Sequence, residues 1–321
     1  MNKDSILVGI VIILCFTTYP QLIPPSNADV NPPDELGPFH VGYFKTSFIV
    51  PQYGKYWATV RYPATREGFL ASLDTTEAPY PGVIVANGWA GAEWNIKWIP
   101  RHLSSFGYIT LCFTPPNKTL GDTTQWAYGF SEGIQMLKHH STKRDLPIYN
   151  ALDTETFGAI GLSMGGAGCI EAASDETSDI DAAVCLAPAG HEKARLAAQN
   201  ISVPIQLQVG SNDGMVPPDR VLPYYTNLTP HNITKEYLEI NGGNHIGYTD
   251  IFFAYIAEWL NIDDVHEISF REQHRISQKY FTAWFQFHLK YLDDYFTYLF
   301  GEEAKSDLDE GILSNLFFTI S

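Results

Sequence analysis

Between Tyr56 and Ile240 the chain alternates short apolar runs with amphipathic stretches, and that order leaves few architectures open. Gly82–Ala86 (GVIVA), ended by Asn87-Gly88, has the profile of a strand buried on both faces. Tyr56–Tyr62, Tyr108–Phe113, Thr156–Leu162, Asp181–Leu186, Ile205–Val209 and Lys235–Ile240 read as further strands. Helices are expected near Trp94–Phe106, Thr123–His139 and Gly165–Ser174. This rhythm predicts an α/β fold: a mostly parallel central sheet with helices on both faces. No linker or shift in composition splits the body, so a single domain is expected over 29–321. Further on, Asp250–Leu260 predicts an aromatic amphipathic helix and Phe270–Phe300 a long one. The aromatic stripe Phe281, Trp284, Phe285, Phe287, His288 and Tyr291 is expected to pack in the core rather than to hold a cofactor.

The first 28 residues are set apart. Lys3 precedes the apolar run Ile6–Phe16, which is short for a membrane span and matches the hydrophobic region of a signal peptide. Ser26-Asn27-Ala28 supplies small residues for cleavage before Asp29; an uncleaved N-terminal anchor is the alternative. Either reading puts the body outside the cytoplasm. Asn117, Asn200, Asn227 and Asn232 begin glycosylation triplets, which fit export. Cys112, Cys169 and Cys185 sit in apolar stretches and are expected to be buried free thiols. Lys and Arg total 20 against 36 Asp and Glu, a formal net charge of −16. Such a surface repels phosphate backbones and anionic headgroups, so nucleic acid is not expected as a partner. A neutral or hydrophobic substrate is expected instead, with no stable protein partner, no cofactor and no metal.

The chemistry gathers at one turn. Gly161-Leu162-Ser163-Met164-Gly165-Gly166 follows a strand and opens a helix. A serine at such an elbow adopts strained backbone angles, and the glycines remove Cβ atoms that would clash. The helix N-terminus then faces the hydroxyl and can stabilise a developing oxyanion. A serine hydroxyl needs a base to take its proton, and the base needs an acid to orient it. In strand-ordered sites of this kind the acid and then the histidine follow the nucleophile along the chain, each at a strand's C-terminal end. Asp213 ends the run after Ile205–Val209, and His245 the run after Lys235–Ile240. Asp219, after Pro217-Pro218, is the rival acid, and is expected to begin a helix instead. The backbone N–H groups of Trp89 and Met164 are the expected oxyanion donors. The Trp89 indole is a candidate wall of the substrate cleft; covering the sheet edge is its other reading.

These residues carry a resemblance. The G-L-S-M-G-G elbow, Asn212-Asp213, and the segment Leu238–His245 resemble the secreted polyester-hydrolase and cutinase-like branch of the α/β-hydrolases. Gly37-Pro38-Phe39-His40-Val41 and Tyr62-Pro63-Ala64 are similar to the opening of that branch, and of the dienelactone-hydrolase-like and platelet-activating-factor-acetylhydrolase-like groups. The resemblance spans about Gly37–His245 and a helix around Ala283-Trp284. It implies an α/β-hydrolase fold and a serine carboxylesterase acting through an acyl-enzyme, on polyester or cutin-like substrates or on lipids and lactones. It also implies substrate contacts at Trp89, Leu162 and Ala189.

The chain departs from the branch in places. Ala189 follows Ala187-Pro188 where those enzymes carry an aromatic, and Leu162 stands where they have Trp or His. Their C-terminal disulfide has no counterpart. The segment Tyr248–Glu272 is longer than theirs, and is expected to lie beside the cleft as a partial lid or to pack permanently on the body. A non-catalytic binding module on the same fold is the competing functional class; the presence of Ser163, Asp213 and His245 together argues for the enzyme.

Overall fold

The computed structural model describes residues 30–227 and 232–321. The expected signal segment and its Ser26-Asn27-Ala28 site lie outside the described residues, as does part of the Asn227 triplet. Asn31–Ser321 form one compact unit.

In chain order the first half consists of β1 (His40–Val50), β2 (Gly54–Ala64), β3 (Gly68–Phe69), β4 (Tyr80–Ala86), α1 (Trp98–Ser105), β5 (Ile109–Thr114), α2 (Thr124–Ser141) and β6 (Leu152–Leu162). There follow α3 (Met164–Ala173), β7 (Ala182–Leu186), α4 (Glu192–Ala197), β8 (Ile205–Gly210), α5 (Pro218–Asn227) and β9 (Lys235–Ile240). The rest is α6 (Ile251–Trp259), α7 (Phe270–Leu289), α8 (Phe296–Phe300), α9 (Glu302–Asp309) and β10 (Leu313–Thr319). Among the described residues these strands form one sheet in the order β10-β9-β8-β7-β6-β4-β5-β2-β1-β3. From β9 to β5 every neighbouring pair is parallel, so these strands all end on the same edge. β10 pairs antiparallel with β9, and β2 pairs antiparallel with both β5 and β1, so these strands flank that block; the short β3 pairs parallel with β1 at the far edge.

The parallel strands are largely buried because helices cover them on both sides; β4 and β7 are apolar almost throughout, whereas β8 buries Gln206 and Gln208 and β9 buries Glu236. All of β4 is buried, and each fully buried Val or Ile there contributes about 1.5–3 kcal/mol. In β6, Phe157 lies under Lys138 of α2, while a Cβ on Gly158 would meet Phe285 of α7. Consecutive strand residues point to opposite faces, so α2 and α7 pack on opposite sides of the sheet. Cys112, Cys169 and Cys185 are buried free thiols, and Phe281, Trp284 and Phe285 are core residues.

Three expectations need correction. The helix expected over Phe270–Phe300 stops at Leu289: Tyr291 is left-handed (φ 56°), and the neighbouring Lys290 ammonium donates to the Phe106 carbonyl at 2.7 Å. The stretch Trp94–Phe106 is split into a short 3-10 turn at Glu93–Ile96 and α1. β1 and β10 have no counterpart among the expected strands: each mixes buried, half-buried and exposed residues, and neither is a continuous apolar run.

Candidate active site

Ser163 sits between β6 and α3 with φ 57° and ψ −117°, a left-handed conformation that side-chain-bearing residues rarely adopt. Three backbone hydrogen bonds hold it there. Its N–H donates to the Leu186 carbonyl, and its carbonyl accepts from Ala167 and Ala189, each at 2.9 Å. The glycines are required by space. A Cβ at position 161 would lie 2.1 Å from the Gly165 carbonyl oxygen, and one at 165 would lie 2.6 Å from that of Asn87. Met164 opens α3, so the positive end of the helix faces the serine's side of the turn.

The loop after β4 closes on the same point through a residue that the motif reading did not single out. A Cβ on Gly88 would come within 2.6 Å of the Ser163 Cβ and 3.1 Å of its hydroxyl oxygen, so only glycine lets this backbone approach. Asn87 fixes the turn: its Oδ1 accepts from the Gly88 N–H at 2.7 Å, and its Nδ2 donates to the Ala92 carbonyl at 3.1 Å. The buried Trp126 indole N–H, from α2, donates to the Asn87 carbonyl at 2.6 Å. Among the described residues, the N–H groups of Trp89 and Met164 donate to no protein acceptor. The Trp89 ring is 57% exposed, with its Nε1–H donating to the Thr119 carbonyl at 2.9 Å.

Asp213 and His245 meet directly. His245 Nδ1 lies 2.8 Å from Asp213 Oδ2, and both residues are buried. Asp213 Oδ1 accepts from the N–H groups of Met215 (3.0 Å) and Val216 (2.6 Å), which fixes the carboxylate and with it the ring. With Nδ1 facing the acid, Nε2 is the nitrogen left to act as base. Burial disfavours the imidazolium, but the Asp213 carboxylate and its hydrogen bond outweigh this; with a further push from Asp263 they carry His245 above its ordinary pKa of 6.5. Asp213 itself is raised, chiefly by burial, against the pull of His245.

The path of the chain brings this pair toward Ser163. After β9 it bends back over the end of β8, where Asn212 N–H donates to the Gly243 carbonyl at 2.8 Å. Farther on, the Tyr248 carbonyl accepts from the Trp98 indole at 3.0 Å, on the helix after β4. β6 lies between β8 and β4 in the sheet, so this segment, His245 included, spans the edge that carries Ser163. Among the described residues the Ser163 hydroxyl forms no hydrogen bond; it shares the edge with His245 without a formed contact. Such contacts are often long without substrate and tighten when it binds.

The competing residues separate cleanly. Asp219 is exposed, in the first turn of α5. Of the other histidines, His102 and His274 are buried against the carbonyls of Pro33 and Thr249, burial holds each at about 4, and among the described residues neither hydrogen-bonds a carboxylate. Leu162, at which the resemblance implies a substrate contact, is the last residue of β6 and is 2% exposed. Ala189 is half-buried beside the elbow, one peptide away from the Pro188 backbone that packs on Gly166.

A parallel sheet whose C-terminal edge carries a left-handed serine elbow and a buried aspartate–histidine pair defines an α/β-hydrolase. A family model described as PETase, PET hydrolase-like, matches residues 19–302. The chain therefore belongs to the PET hydrolase-like family, and ester hydrolysis is its class of reaction. It is similar to Cutinase 1 of Thermobifida cellulosilytica, with 26% identity over 249 residues, covering 74% of this chain and 86% of that one. It is also similar to the bis(hydroxyethyl) terephthalate hydrolase of Streptomyces coelicolor, with 28% identity over 215 residues, 64% of this chain and 62% of that one.

Proposed function

We propose that the chain is an exported serine carboxylesterase that cleaves neutral, hydrophobic esters of the polyester type through an acyl-enzyme. Ser163 Oγ attacks the ester carbonyl carbon while His245 Nε2 takes its proton. The N–H groups of Trp89 and Met164 stabilise the oxyanion, and Asp213 stabilises the imidazolium. Collapse of the intermediate expels the alcohol, which takes the proton from His245. Water, activated by the same imidazole, then attacks the acyl-enzyme carbonyl and releases the acid. The observation that carries this reading is the buried Asp213–His245 contact on the strand edge where Ser163 is held left-handed. The polyester class is supported by the family and by the cutinase and terephthalate-ester hydrolase among the relatives. The net charge of −16 favours an uncharged substrate.

In this proposal residues 1–28 direct export or anchor the chain, and 29–321 act as one catalytic domain without a stable partner. Among the described residues no helix is long and apolar enough to cross a membrane. The Trp89 ring and Ala189 border the acyl site. Ser163→Ala tests the reading: hydrolysis of p-nitrophenyl butyrate and of a soluble aromatic diester is expected to fall by about five to six orders of magnitude. The thermal midpoint is expected to stay within a few degrees. Turnover retained by the variant would place the nucleophile elsewhere.

A further inference from the structure

We infer that Asp263, on the segment between α6 and α7, is a positioning residue that ties the loop of the acid to the loop of the base. The inference rests on the proposed roles of Asp213 and His245. Asp263 Oδ1 accepts from the Gly214 N–H and its Oδ2 from the Ile246 N–H, each at 2.9 Å. Gly214 follows Asp213 and Ile246 follows His245, so one carboxylate spans the two peptides next to the two functional side chains. Hydrogen bonds to an ionised acceptor are about twice as strong as neutral ones, which suits a carboxylate to this task.

The residues on the other side of each group are held from the same region. Asn212, before the acid, donates through Nδ2 to the Val265 carbonyl at 3.1 Å. Asn244, before the base, donates through Nδ2 to the Asp264 carbonyl at 2.8 Å. Gln273 of α7 grips the backbone of Asn244 with both ends of its amide, accepting from the N–H at 3.1 Å and donating to the carbonyl at 2.7 Å. Asp213 and His245 are thus each flanked on both sides by residues fixed from 263–273. Among the described residues of this segment, Asp263 is the one whose side chain hydrogen-bonds both loops. Its charge also acts on the pair: with Asp213 it is the anion that raises His245.

The test uses the full chain and measures two things from pH 5 to 9: the rate at which a fluorophosphonate labels Ser163, and kcat and KM for p-nitrophenyl butyrate. Asp263→Ala is expected to lower kcat about 10- to 100-fold, the cost of a displacement of about 1 Å in the reacting groups. KM should change less than about twofold. Asp263→Asn, which keeps the shape and one acceptor, should lose less rate and hold the fold if the alanine variant does not. Both should move the acid limb to lower pH, because His245 loses a neighbouring negative charge. Glu258→Gln, at an exposed acid paired with His266 instead, should match the wild type. Wild-type kcat with an unmoved acid limb in the folded asparagine variant would overturn the inference. Should the unmodified protein itself resist labelling, the proposed function fails, and that outcome is separate from this one.

Discussion

The strand ends that carry Ser163, Asp213 and His245 and the segment 248–272 beside them are built in opposite ways. At the strand ends, backbone meets backbone so closely that a single added Cβ at Gly161, Gly165 or Gly88 would lie under 3 Å from its neighbour. In the segment, α6 turns large apolar side chains outward: Phe252 is 66% exposed, Tyr255 58% and Trp259 83%. The helix is fastened at its start, where Lys97 pairs with Asp250 at 3.2 Å and the Trp94 and Phe253 rings meet at 4.6 Å, and farther on through Ala254 against Phe270 and Glu258 with His266 at 3.1 Å. Close packing fixes atoms to fractions of an ångström, whereas exposed side chains bring little restraint. The segment's ordering influence comes from polar groups near its end, around Asp263, and not from its apolar helix.

The contrast can be broken most severely at the strand ends. Asp213→Asn keeps the shape of the acid but lets its amide face Nδ1, which favours the wrong tautomer of His245; kcat is expected to fall about 10,000-fold with the fold intact. A loss of less than tenfold would mean that the buried pair is structural.

A smaller effect appears in the pH profile. His245 must be neutral to accept the proton, and its pKa is raised, so activity falls with acidity through a midpoint above 6.5. An acid limb centred below 6.5 in kcat/KM would show that the Asp213 carboxylate does not act on the imidazole as the contact implies.

The smallest effect belongs to α6. Trp259→Ser removes a ring that is largely in water, and the unfolding free energy should change by no more than about 0.5 kcal/mol. A loss of several kcal/mol, read from denaturant melts, would show that the helix is packed, and would erase the contrast.

Much of the strand edge was legible in the sequence. Parallel strands buried on both faces appear as continuous apolar runs, and the glycines of the elbow are spaced by a steric demand that leaves a mark on the chain. Asp213 and His245 followed from their places after two strands, β8 and β9, whose apolar residues alternate with polar ones. β1 and β10 were missed because one side of each faces partly outward. The break after Leu289 is set by tertiary contacts, since the aromatic pattern runs through it unchanged. Gly88 and Asp263 were missed for a related reason: they act on neighbouring backbone or through its absence of hindrance, and such contacts leave no spacing rule among side chains.

In the proposed mechanism the left-handed serine is an activated nucleophile served by the Asp213–His245 pair. Treating the folded protein with a fluorophosphonate and locating the adduct by mass spectrometry tests it most directly. A single modification is expected, on Ser163, and it should be slowed strongly by Asp213→Asn. An adduct on another residue, or none on the folded chain, would contradict it.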